Sequence, residues 1–275
     1  MIENKSTEEL KHILKELICS LEEGKLRSTS AIDWAPPIVS FGDPGTSTLA
    51  TVGLNPSNLE FLDQNNIELD GYSRRFHTKK SLQIQNWGEI NSQELSAIIS
   101  KCISYFKNNP YDAWFKKLDY LISGSKYSYY FPTSNSCHLD LVPYATSTKW
   151  GLLTNSQRSK LLQISINSLG KILNTSSIET LVLNGRGVVD AFNSRSQGIL
   201  YETLMPGWHL PRKNGNDVLG IAYQGFTDKV GDIKLDKSIR ILGFNHNIQS
   251  SFGVTSKVQQ EIRNWITKSI QYEKI

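Results

Sequence analysis

The chain has 275 residues, of which 39% are hydrophobic, 10% aromatic and 20% charged, and 30 Lys and Arg against 26 Asp and Glu leave a net charge of +4. That composition excludes extended disorder, collagen-like repeats and a coiled coil. No apolar run approaches the roughly 20 residues of a membrane helix, so no membrane partner is expected.

In chain order, residues 1–10 lack the apolar core of a signal peptide, which points to a cytoplasmic location. Leu10, Ile13, Leu14, Leu17, Ile18 and Leu21 fall at helical spacing, predicting an amphipathic helix over residues 7–23 behind a Ser6…Glu9 capping box. Pro36-Pro37 break the chain before an apolar run at 48–52, which reads as a strand and stops at Gly53 and Pro56. Residues 74–80 gather Arg74, Arg75, Lys79 and Lys80 around Phe76, as a solvated loop or as a contact for a polyanion. Residues 92–123 read as two helices divided by Asn109-Pro110, and residues 137–142 as a second strand ended by Pro143. A helix with capping-box spacing (Thr154…Gln157) runs towards Asn174. Residues 178–183 form an apolar strand, 217–223 and 239–244 are further strand candidates, and a closing helix runs from Ser256 towards Tyr272.

Short apolar strands alternating with helices predict an α/β fold: a three-layer sandwich with a central, mostly parallel sheet of four to five strands and helices on both faces. Residues 1–44 are expected to form an N-terminal helical extension packed on the core, with 45–275 as the α/β domain. Cys19, Cys102 and Cys137 are too few and too far apart for a disulfide framework, a zinc knuckle or a four-cysteine iron–sulfur site, and no metal or other cofactor is expected.

In such sheets chemistry collects at the carboxyl ends of the strands. Three ends carry polar residues. The first is Gly53-Leu54-Asn55-Pro56-Ser57, a turn that presents an amide at the sheet edge. In the second, alternation puts His138 and Asp140 on one face, either as a satisfied structural pair or pointing into a pocket. The third, Asn245-His246-Asn247-Ile248-Gln249-Ser250-Ser251, opens into amides, hydroxyls and one imidazole.

These three segments together resemble the uracil-DNA glycosylase superfamily. Gly53-Leu54-Asn55-Pro56-Ser57 is similar to its first motif in the Gly-x-Asn-Pro form. The 245–251 segment is similar to its last motif, with Asn247 where a proline is usual. Asp140-Leu141-Val142-Pro143 sits where many members carry Asn-x-x-Pro. The likeness runs from about residue 45 to 270, and residues 1–44 and an insert around 88–130 have no clear counterpart.

The resemblance implies a monofunctional DNA glycosylase that flips a base out of DNA and hydrolyses its N-glycosidic bond, leaving an abasic site. Asn55 would hold the water, and His246, or Asn245 one register away, would donate to the base as negative charge develops. Gly53, Leu54, Pro56, Ser57 and His138 would line the pocket. Phe76, preferred over Phe61, would stack under the base. Ser250 and Ser251 would meet a phosphate, Ile248 and Gln249 would fill the gap in the duplex, and Arg74, Arg75, Lys79 and Lys80 would neutralise phosphates. Lys149, Arg186, Arg212 and Lys213 are further cations available for that purpose.

Asp140 departs from the pattern in an informative way. A carboxylate only accepts hydrogen bonds and suits an exocyclic amine such as cytosine N4. Because expelling normal cytosine would be ruinous, the expected substrate is a modified cytosine, such as the glucosylated hydroxymethylcytosine of phage DNA excised by anti-phage members of this superfamily. The alternatives are a uracil or mismatch repair glycosylase, an inert DNA-binding module, and a hydrolase of free nucleosides or nucleotides that would not need the cationic segment.

Overall fold

The structure is a computed structural model, and it describes residues 5–212, 216–249 and 253–271. Six strands form one sheet in the order β2-β1-β3-β6-β5-β4, where β1 is Leu49–Gly53, β2 Ser136–Asp140, β3 Thr180–Asn184, β4 Ile199–Leu204, β5 Ile221–Val230 and β6 Ile233–Phe244. β2, β1, β3 and β6 are parallel neighbours, whereas β5 runs antiparallel to β6 and β4 antiparallel to β5. All five residues of β1 are buried, as expected for a strand covered on both faces.

The sheet is mostly parallel with helices on both faces, but it has six strands rather than four to five. β4 escapes a periodicity reading because it is an edge strand whose Ile199, Tyr201 and Leu204 are all exposed. β5 begins only at Ile221, inside the run expected at 217–223, and both β5 and β6 extend beyond their apolar runs, since their distal halves form a hairpin with Gly231 at φ 58° in the turn.

Among the described residues the helices are α1 (Lys5–Glu22), α2 (Lys79–Leu82), α3 (Ser92–Ile103), α4 (Asp112–Ser123), α5 (Asn155–Thr175), α6 (Arg186–Asn193) and α7 (Ser256–Gln271). α5 carries the expected capping box: Gln157 N donates to Thr154 Oγ1 (3.2 Å) and Thr154 N to Gln157 Oε1 (2.9 Å). The box expected at Ser6 does not form. Ser6 already lies inside α1, and its Oγ has no hydrogen-bond partner among the described residues.

α1 buries Leu10, Ile13, Leu14, Leu17 and Ile18 against α5 and α3. Past α1 the chain returns to the free edge of β2. There Phe41 and His138 exchange both backbone hydrogen bonds at 2.9 Å, which covers an otherwise open strand edge. No described helix is long and apolar enough to cross a membrane.

Candidate active-site cleft at the carboxyl ends of the parallel strands

A cleft of about 670 Å³ opens where β1, β2 and β3 end. Its floor follows from register. β1 and β2 are parallel, with Thr51 opposite His138 and Gly53 opposite Asp140. His138 and Asp140 therefore point to the same side and both line the cleft, as the alternation predicts. Gly53 has to be glycine, because a Cβ there would lie 2.4 Å from Asp140 Oδ1 and 2.9 Å from His138 Nε2.

The two side chains belong to a buried relay. Tyr129 Oη lies 2.5 Å from Thr51 Oγ1, Thr51 Oγ1 lies 2.6 Å from His138 Nδ1, and His138 Nε2 lies 3.4 Å from Asp140 Oδ1. One consistent set of protons runs along it: the phenol donates to Thr51, Thr51 donates to Nδ1, and Nε2–H faces the carboxylate. Burial holds the Tyr129 phenol well above its usual range, so it remains a donor.

Asn55 follows β1 in the turn towards Pro56. Its Nδ2 donates to Pro56 O (3.1 Å), Tyr144 O (3.4 Å) and Thr146 Oγ1 (3.1 Å). Carbonyls only accept, and the single Thr146 hydroxyl proton goes to Thr148 O at 2.7 Å. These partners settle the amide orientation and leave Oδ1 as an acceptor with no partner among the described residues. Leu54, Pro56 and Ser57 also line the cleft, and Ser57 caps the turn Asn58–Glu60 by accepting from Leu59 N at 3.2 Å.

That turn places Glu60, to which the sequence reading gave no role, in the lining. Burial pushes its carboxyl up to about 7, with the charge of Asp140 raising it further; the Tyr105 hydrogen bond and the Arg75 charge oppose this. A lone acid between Leu59 and Phe61 was the sequence signal for it.

One wall is aromatic: Phe41, Tyr111, Trp114, Phe115 and Trp150. Tyr111, Trp114 and Phe115 have the i, i+3, i+4 spacing of one helical face at the start of α4. The Trp114 ring centroid sits 4.9 Å from that of His138. Residues 1–44 and the 88–130 insert thus supply most of the wall.

Several expected site residues lie elsewhere. His246 is 4% exposed, bonds through Nε2 to Trp208 O at 2.6 Å, and with Asn245 lines a separate cavity of about 310 Å³. Burial lowers its imidazole below the usual range against the opposing effect of that carbonyl bond. Asn245 is held by Ile221 N and Leu219 O, at 2.9 and 2.7 Å. Neither side chain joins Asn55; from this loop Asn247 and Gln249 reach the cleft instead.

Phe76, 1% exposed, is core rather than a stacking platform, packed on Phe41, Phe61 and Tyr105, and Phe61 is equally buried. Ile248 is 1% exposed and cannot act as a wedge. No protein-family model matches the chain, and no curated protein matches it. The chemistry of the cleft therefore carries the functional reading.

The cationic segment is largely consumed locally. Arg74 pairs with Asp70. Arg75 donates to Asn109 O (3.0 Å) and Leu59 O (2.9 Å), and Lys79 Nζ lies 5.5 Å from the centroid of the Trp87 ring. Lys80 is exposed, but none of the four lines the cleft. Lys149, exposed, does. Arg186 lies 3.5 Å from Asp190, and Arg212 borders the smaller cavity. Ser250, Ser251 and Lys213 lie outside the described residues. Asn184, at the end of β3, donates to Gln249 Oε1 at 2.8 Å, which ties the β3 and β6 loops together over the cleft. Among the described residues no group of three His, Cys, Asp or Glu side chains is placed to hold a metal ion.

Proposed function

We propose that the protein is a DNA glycosylase of the kind its motifs resemble, hydrolysing the N-glycosidic bond of a modified cytosine received in this cleft. The observation that carries the reading is the convergence of the free Asn55 Oδ1 and the Asp140 carboxyl beside Gly53, within one aromatic-walled cleft.

Flipping a base costs a few kcal/mol, and stacking on an aromatic side chain returns about 1–3 kcal/mol per base. The amide oxygen of Asn55 orients a water towards the cationic sugar that forms as the bond breaks. The Asp140 carboxylate accepts from an exocyclic amine. A cleft of about 670 Å³ falls within the roughly 300–1,000 Å³ that takes ligands larger than a bare pyrimidine, which suits a base bearing a substituent.

A free nucleoside or nucleotide as substrate is the second reading. It is favoured by one observation: Arg74, Arg75 and Lys79 are engaged within the protein rather than offered to a phosphate backbone.

The test is product analysis for abasic sites or released base with wild type, Asn55→Ala and Asp140→Asn. The substrates are DNA containing uracil, thymine mismatches, 5-hydroxymethylcytosine or its glucosylated form, and the matching free nucleosides. Cleavage of modified cytosine in DNA, lost in Asn55→Ala, is the expected result. Cleavage of nucleosides alone selects the second reading, and release of uracil overturns the role of Asp140. Salt-sensitive DNA binding without cleavage leaves an inert module.

A further inference from the structure

We infer that Glu60 is the acid that protonates the departing base, an inference that rests on the N-glycosidic reading above and deepens it.

Its geometry is that of a proton donor with one oxygen committed and one available. Tyr111 N donates to Tyr105 Oη at 2.9 Å, so the phenol's own proton is directed to Glu60 Oε2, at 2.8 Å. Arg75 Nε lies 3.9 Å from the same oxygen. Oε2 is thereby held as an acceptor, and a carboxyl proton resides on Oε1, which has no hydrogen-bond partner among the described residues. Glu60 is 3% exposed and lines the cleft that holds Asn55 and Asp140, and Oε1 is the oxygen that Tyr105 leaves uncommitted. Burial and the charge of Asp140 keep the carboxyl protonated to about 7. Two carboxyl groups in different surroundings within one cleft divide the roles of proton donor and hydrogen-bond acceptor. The charged and titratable groups bearing on Glu60 are Tyr105, Arg75 and Asp140.

The chemistry requires such a group. An aminopyrimidine leaves poorly as an anion, so its departure is eased when a ring nitrogen or carbonyl oxygen is protonated as the bond breaks. The proton passes from Glu60 Oε1 to the base, and the C1′–N bonding pair goes to the base. The water on Asn55 then adds to C1′, and the proton it releases restores the Glu60 carboxyl through solvent exchange. The imidazole of His246, expected to assist the base, is not in this cleft.

The experiment compares wild type, Glu60→Gln and Tyr105→Phe on the substrate panel above, reading kcat, KM and the pH profile. In wild type, activity falls as pH rises through about 7, where Glu60 loses its proton. Glu60→Gln, which retains the Tyr105 hydrogen bond, is expected to lower kcat about 10²–10⁴-fold with KM little changed, and to abolish that alkaline limb. Tyr105→Phe removes a bond that lowers the carboxyl, so its limb moves to higher pH while activity persists. A wild type that cleaves, with Glu60→Gln retaining both kcat and the limb, or with Tyr105→Phe leaving the limb unmoved, overturns the role of Glu60 and leaves the glycosidic reading standing. A wild type that cleaves no substrate overturns both.

Discussion

The ends of β1 and β2 and the end of β6 all carry motif-like polar residues, but whereas the first two bring Asn55, His138 and Asp140 into one cleft, the third sends Asn247 and Gln249 there and turns Asn245 and His246 away. β1 and β2 are hydrogen-bonded neighbours in register, so Gly53 and Asp140 meet directly, and the absent Cβ of Gly53 leaves room for the carboxylate. β6 is separated from β1 by β3, and the loop after it is anchored outward: Asn245 to the start of β5, His246 to the Trp208 carbonyl and Ile248 into the core. A strand end positions a side chain only as far as the backbone after it remains in register. Beyond that point the anchors decide which way each residue faces.

This contrast can be broken most directly with Asn55→Ala, which is expected to reduce abasic-site formation by at least about 10²-fold because the water loses its acceptor. His246→Leu, in the same assay, is expected to leave kcat near the wild-type value. Equal losses in both variants would mean that His246 acts in the cleft after all.

Glu60 makes stability pH-dependent. Burial pushes its folded carboxyl up to about 7 from the usual 4.5, so the folded state binds more protons than the unfolded between these values. Stability therefore falls as pH rises through that window, by about 3 kcal/mol at most. Urea unfolding at about pH 5 and about pH 8 should show this loss in wild type and a flatter response in Glu60→Gln.

Gly53→Ala should cost about 1–3 kcal/mol by forcing a methyl into the Asp140 and His138 side chains. The same urea experiment measures it, and an unchanged midpoint would mean that the floor is looser than its distances imply. His246→Leu should cost about 1–2 kcal/mol by leaving the Trp208 carbonyl without its donor. The smallest effect concerns DNA affinity. Lys149→Gln should reduce the salt dependence of binding by about one counterion, whereas Arg74→Gln should leave it nearly unchanged. The reverse order would return the DNA contact to the 74–80 segment.

Much of the fold was legible because burial writes period and punctuation into a chain. Leu10 to Ile18 mark α1 by helical spacing, Thr154 and Gln157 mark the start of α5, and Gly53 and Pro56 mark the end of β1. That His138 and Asp140 share a face followed from strand alternation alone, whereas their pairing and their place in the cleft did not. β4 was silent, since an exposed edge strand has no buried face to impose a pattern.

The sequence alone therefore established the mostly parallel sheet, the Asn55 turn and the His138–Asp140 face, each set by residues close together in the chain. Only the tertiary structure turned His246 away, buried Phe76, paired Arg74 and Arg75 within the protein, and brought Glu60 and the aromatic wall of α4 into the cleft that holds Asn55. Those outcomes depend on contacts between residues far apart in sequence, such as Tyr105 with Glu60 and His246 with Trp208, and local pattern carries no information about them.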